Sequence, residues 1–143
     1  MDDMRSQKKG LTANYKATIL PIMNIDDTTM TEFTKVMKAL SDPNRVKIIK
    51  MLQHKSLCVC EIKAALEISQ PTVSKHLKIL QNTGIVITEK DGLWVNCSLT
   101  NGDRSPYVAA LLGNLKHWLE NDPQIESLHK KLLLINREEV CGR

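Results

Sequence analysis

Between residues 60 and 99 the chain runs through a short helix, a turn, a capped helix and a hairpin in immediate succession, an order that very few folds accept. The run EIKAALEISQPTVSKHLKILQNTGIV holds the first three pieces. Ser69 is an N-cap residue for a helix that runs to about Thr83 and stops at Gly84, with Val73, Leu77 and Leu80 as its inward stripe. Two β-rich stretches follow, IVITEK and LWVNCSL, joined by Asp91-Gly92, a dipeptide suited to a tight hairpin turn. Two crossed helices followed by a hairpin predict a winged helix-turn-helix, mainly α with a β-hairpin wing.

The flanking sequence supplies a helical frame. Phe33, Val36, Met37 and Leu40 recur at one-face helical spacing from Thr28 onward, and Ser41-Asp42 interrupts them. Asp42 and Pro43 then open a helix striped by Val46, Ile49 and Leu52. After the hairpin, Val108, Leu111, Leu112, Leu115 and Trp118 form another apolar stripe, and Asp122-Pro123 starts a last helix marked by Ile125, Leu128, Leu132 and Ile135. A 42% hydrophobic chain with only 3% aromatic residues builds its core from aliphatic side chains, which suits helices. The resulting organisation is an arm over residues 1–27, a winged helix-turn-helix and dimerisation domain over 28–120, and a C-terminal helix and tail over 121–143.

No apolar run approaches the roughly 20 residues needed to span a bilayer, and the N-terminus MDDMRSQKKG lacks an apolar signal core, so a cytoplasmic location with no membrane partner is expected. In a reducing compartment the four cysteines are ligands, sensors or core residues rather than a disulfide framework. A net charge of +4 agrees with a polyanionic partner, and the position of the charge makes the case for one. The helix over residues 69–83 offers Gln70, Thr72, Ser74, Lys75 and Lys78 on its outer and N-terminal surface, opposite its buried stripe. A helix fits the major groove of double-stranded DNA with its first turns at the base edges, where Gln pairs with adenine, Thr meets a thymine methyl, and Lys reaches guanine or phosphate. Lys90 on the wing is placed to follow the phosphate backbone.

Just ahead of this module lies SLCVCEI, with Cys58 and Cys60 separated by one residue. Thiolates prefer soft, thiophilic ions, so the pair joins a binding site of that kind to a DNA reader. On a regular helix residues i and i+2 are about 200° apart and their sulfurs cannot share one small ion, whereas in an extended segment both fall on one side. Ion binding is therefore expected to select an extended or unwound start to the helix beginning near Cys60.

Residues 33 to 99 resemble the ArsR family of metalloregulatory repressors, through MKALSDPNRVKIIKML, SLCVCEI, ISQPTVSKHLKILQNTGIV and the wing KDGLWVNCSL. The resemblance implies a homodimer that leaves operator DNA when metal binds, with a metal box at Cys58 and Cys60 and the reading helix at Gln70 to Lys78. Arsenic-sensing members carry a third cysteine three residues after the second, a position held here by Lys63. The candidates for a third thiol are Cys141, in the polar tail NREEVCGR, and Cys97, whose alternation with Val95 and Leu99 suits a buried strand position, and two thiolates without a third are the remaining alternative. Cys141 can reach the site of its own or the partner subunit, or remain an incidental exposed thiol.

As(III) or Sb(III) is the expected inducer, because it needs at most three thiolates, while cadmium, lead or zinc wants a fuller shell. The alternatives are the same repressor answering those ions or thiol oxidation. More remote is a thiol-disulfide enzyme, for which the chain lacks the βαβ frame; no catalytic constellation or cofactor motif is present, and an enzyme is not expected. The dimer is expected to bury Val108, Leu111, Leu112, Leu115 and Trp118, together with the first helix. Among the histidines, His76 suits a core-edge or phosphate-facing place, His117 lies in the penultimate helical segment, and His54 and His129 look like surface residues.

Overall fold

A computed structural model describes residues 29–141, so the arm over 1–27 lies outside the described residues. The chain divides between Lys35 and Val36 into two units, and the second carries all that follows except the start of the first helix. In chain order the elements are α1 (Thr29–Ala39), α2 (Pro43–Leu52), β1 (Leu57–Cys58), α3 (Val59–Leu66), α4 (Gln70–Asn82), β2 (Val86–Asp91), β3 (Trp94–Leu99), α5 (Pro106–Leu115), α6 (Pro123–Leu134) and α7 (Arg137–Val140).

Local chemistry sets these boundaries. Asp42 caps α2 by accepting from the Asn44 and Arg45 N–H groups, Asp122 caps α6 through Gln124 and Ile125, and proline opens both helices where a missing N–H loses nothing. Ser69 caps α4 in the same way, and Glu67, in the left-handed conformation at φ 56°, ends α3 and makes the turn between the two helices. The Arg45 guanidinium donates to the Ala39 and Lys38 carbonyls at 2.6 and 3.2 Å, closing the C-terminal end of α1.

The sheet has strand order β1-β3-β2, all antiparallel. In the hairpin, Asp91 pairs with Trp94, which makes Gly92-Leu93 the two-residue loop. The turn thus sits one residue later than the Asp91-Gly92 expectation. Gly92 takes φ 61° at the first central position, the type II′ arrangement that only glycine enters cheaply. β1 pairs Leu57 with Cys97 and Cys58 with Asn96, so the short segment before α3 is stitched to the wing strand.

Behind the sheet, Ile48, Ile49, Met51, Ile62, Val73, Leu80, Ile85 and Val108 are almost wholly buried in one core, which α6 completes with Leu128 and Leu132. Gly102, at φ 75°, lies so close to α5 that a Cβ there would meet the Ala109 Cα and N at 2.7 Å. Among the described residues one charged side chain is fully inside: the Lys50 Nζ donates to the Leu115 and Trp118 carbonyls at 2.7 and 2.9 Å and to the Glu120 carboxylate at 2.8 Å. It therefore satisfies carbonyls that the end of α5 and the following turn leave open, where a cation is also favoured by the helix dipole. Among the described residues no helix is long and apolar enough to cross a membrane.

Candidate metal site and nucleic-acid interface

Cys58 closes β1 and serves as the N-cap of α3 with extended backbone (φ −81°, ψ 163°), while Cys60 is the second residue of the helix proper. The one-residue offset therefore straddles the strand-helix junction, and the sulfurs are not thrown to opposite sides. The expected unwinding of this helix start is not needed, because Cys58 already lies outside the helix. The helix also begins at Val59, slightly before the expected start near Cys60.

The third thiol arrives from the other end of the chain. Asn136 caps α7, a short helix absent from the sequence expectation, and this brings the Cys141 Sγ to 3.1 Å from the Cys58 Sγ. The Sγ atoms of Cys58, Cys60 and Cys141 all lie within 4.8 Å of one another, and all three cysteines are free thiols. Cys97 is fully buried in β3 opposite Leu57, where burial first and the nearby Cys58 second push its thiol up to about 11. Burial likewise raises Cys58, against the opposing hydrogen bonds from Cys141 and the Glu61 N–H. Cys141 is raised by burial and then by its contacts with Cys60 and Cys58. The pocket thus holds Cys58 and Cys141 as neutral thiols at neutral pH.

A carboxylate-guanidinium pair holds α7 against this junction. Glu61 is almost fully buried and accepts from the Cys58 N–H and from the Arg137 Nε, each at 2.9 Å. Burial alone would push its carboxyl up; the Cys58 and Arg137 donors outweigh that and hold it below the usual range. The Arg137 guanidinium also lies over the Trp94 ring at 4.8 Å, and the Arg137 carbonyl accepts from the Cys141 N–H at 3.0 Å. One side chain therefore touches Glu61 in the first turn of α3 and the first residue of β3, while its own carbonyl accepts from the N–H of the third thiol's residue. Neither Glu61 nor Arg137 stood out in the sequence; the acid three residues after Cys58, in the reciprocal position of a capping box, was the available signal for Glu61.

On α4 the inward stripe is Val73, His76, Leu77 and Leu80. Gln70, Ser74, Lys75 and Lys78 are exposed, and Thr72 is half-buried, its hydroxyl 2.8 Å from that of the Ser69 cap. Lys90 is exposed on β2. His76 takes the core-edge role, with its Nδ1 3.3 Å from the Arg45 Nη1. The outer surface of α4 is thus open and polar over its first turns.

The apolar stripe after the wing divides differently from the expectation. Val108, Leu112 and Leu115 are buried in the chain's own core, and Leu111 is half-buried against it. Trp118 is 51% exposed and lies in the turn beyond α5, as does His117. What α5 turns outward is a slim face of Ala109, Ala110 and Gly113. The sequence shows which residues of a helix are apolar together; it does not show whether the surface they meet belongs to the same chain.

Residues 42–88, spanning α2 to the start of β2, match the bacterial regulatory protein, arsR family. Over 101 residues, 68% of this chain and 82% of the relative, the chain is 30% identical to the arsenical resistance operon repressor of Escherichia coli K12. The chain belongs to the arsR family. A second family relative, the cadmium resistance transcriptional regulatory protein CadC homolog of Staphylococcus aureus, is 45% identical over 69 residues, 48% of this chain and 57% of that protein. Among solved structures, HlyU from Vibrio cholerae N16961 superposes with a TM-score of 0.55 at 30% identity, covering 70% of this chain and 100% of that one. The arsR family and this fold are those of DNA-binding transcriptional regulators and not of enzymes.

Proposed function

We propose that the chain is a homodimeric repressor that reads double-stranded operator DNA through α4 and the wing, and that As(III) or Sb(III) closing on Cys58, Cys60 and Cys141 releases it. The observation that carries this reading is the meeting of three free thiols at the junction of β1, α3 and α7, within 4.8 Å of one another. Arsenous acid condenses with three thiols to give the trithiolate and three waters, which matches the number of sulfurs and the protonated state of Cys58 and Cys141. A dication of the cadmium type would need a fourth donor and would have to expel the thiol protons.

On this account the inducer draws the three sulfurs into one shell and moves the elements that carry them. Cys58 is hydrogen-bonded in register to β3, Cys60 lies in the first turn of the helix that supports α4, and Cys141 pulls on α7, whose Arg137 rests on Trp94 of the wing. DNA affinity then falls because the inducer and the operator favour different placements of α4 and the wing, and the coupling is reciprocal. A coupling of about 1–3 kcal/mol corresponds to roughly 5- to 150-fold. Gln70, Thr72 and Ser74 would meet base edges, and Lys75, Lys78 and Lys90 phosphates, from residues 28–120 acting as the DNA-binding and dimerisation domain. The outward face of α5, with Trp118 at its end, is the assigned contact between subunits, and two-fold symmetry would put the reading helices in successive major grooves, roughly 34 Å apart.

The test is a gel-shift titration on the DNA upstream of the chain's own coding sequence, with and without arsenite. Binding that arsenite abolishes in the wild type but not in the Cys58→Ser/Cys60→Ser variant supports the proposal. Release by cadmium and not by arsenite would replace it with the cadmium reading.

A further inference from the structure

Away from the thiols, two histidines that are 75 positions apart in the chain meet edge to face. His54, in the exposed turn after α2, and His129, half-buried on α6, have ring centroids 4.2 Å apart at 78° and Nε2 atoms 3.2 Å apart. Two nitrogens bound at about 2.0–2.1 Å to a tetrahedral ion are separated by roughly 3.3–3.4 Å, so the observed gap is already close to that of two ligands sharing one metal. The His129 Nε2 also lies 3.4 Å from the Lys50 carbonyl. The Glu120 carboxylate, held by the Lys50 Nζ at 2.8 Å, is close enough for its charge to be felt by both imidazoles.

We propose that His54 and His129 form a second metal site, lined by nitrogen and separate from the three thiols, for a divalent ion of the zinc class. Imidazole nitrogen suits zinc, nickel and copper, and not the thiophilic As(III) that suits the cysteine site. On binding, the ring that donates the hydrogen shared between the two Nε2 atoms gives that proton to solvent and takes one up on Nδ1, so that each imidazole binds through its Nε2 lone pair and carries its proton on Nδ1. Solvent completes the shell, which the exposure of His54 permits. Such an ion would tie the end of α2 to α6, beside the Lys50 clamp on the end of α5.

Zinc chloride is titrated into the full chain while the Cε1–H resonances of its four histidines are followed by NMR, with bound zinc measured by equilibrium dialysis. The expected result is that the His54 and His129 resonances move together and saturate while those of His76 and His117 stay. His54→Gln and His129→Gln should each remove about one bound ion per chain, weakening that site at least about tenfold. His54→Gln lies in an exposed turn and gives the same information if the α6 variant does not fold. Unchanged zinc uptake in His54→Gln overturns the proposal, as does the absence of a joint shift of the two resonances. Cys58→Ser/Cys60→Ser should leave the histidine response intact, and its loss there would also overturn the proposal.

Discussion

Replacing Arg137 with Gln tests how the third thiol is held. The guanidinium donates at 2.9 Å to a carboxylate that is 4% exposed and stacks at 4.8 Å on Trp94. A hydrogen bond to a charged partner contributes about 1.5–3 kcal/mol and an exposed cation–π contact about 0.5–1 kcal/mol, and the buried Glu61 would lose its only ion-pair partner among the described residues. α7 spans Arg137–Val140 and has no buried residue of its own, so the loss should release α7 locally and leave the rest of the fold standing. Cys141 would then be withdrawn from the pocket for most of the time, and arsenite affinity should fall in proportion to the docked population. Taking the ion-pair contribution alone, that is roughly 10- to 150-fold, since about 1.4 kcal/mol is one decade. Calorimetric titration of wild type and Arg137→Gln with arsenite reads this directly, and thermal unfolding checks that the fold survives. An affinity within about twofold of wild type, in a folded variant, would refute the argument that Arg137 presents Cys141.

Three other outcomes are expected. Because burial keeps Cys58 and Cys141 protonated at neutral pH, condensation with arsenous acid exchanges no protons with solvent and arsenite affinity should vary little between pH 6 and 8. Cadmium must expel those protons, so its affinity should rise steeply with pH, up to about a hundredfold per unit for those two thiols; an arsenite affinity climbing as steeply would contradict the assignment. Gly102→Ala should destabilise the fold by about 2–4 kcal/mol, lowering the melting temperature by roughly 10 °C, because the new Cβ meets the Ala109 backbone and the residue is held at φ 75°. Lys75→Ala should weaken operator binding across sequences and reduce the salt dependence by about one counterion; an unchanged salt slope would remove Lys75 from the phosphate contacts.

Much of the architecture was legible because local chemistry dictated it. Asp42, Ser69 and Asp122 announced their helices, and the Asp91-Gly92 signal located the hairpin to within one residue. What the sequence hid was long-range. Cys141 reaches Cys58, Arg137 reaches Glu61 and His54 reaches His129 across 75 to 83 positions, and no periodicity encodes such pairings. The tail NREEVCGR reads as polar, because its few helical residues are held by one ion pair and a capping asparagine instead of an apolar stripe. The stripe on α5 reads two ways for the opposite reason. Val108, Leu112 and Leu115 have the right periodicity, and the chain's own core satisfies it.

The central claim, that one chain supplies three sulfurs to one arsenic, is tested most directly by X-ray absorption at the arsenic edge on arsenite-loaded protein. The account predicts three sulfur neighbours in the wild type and two sulfurs plus one oxygen in Cys141→Ser. Two sulfurs in the wild type, or a spectrum that Cys141→Ser leaves unchanged, would contradict it.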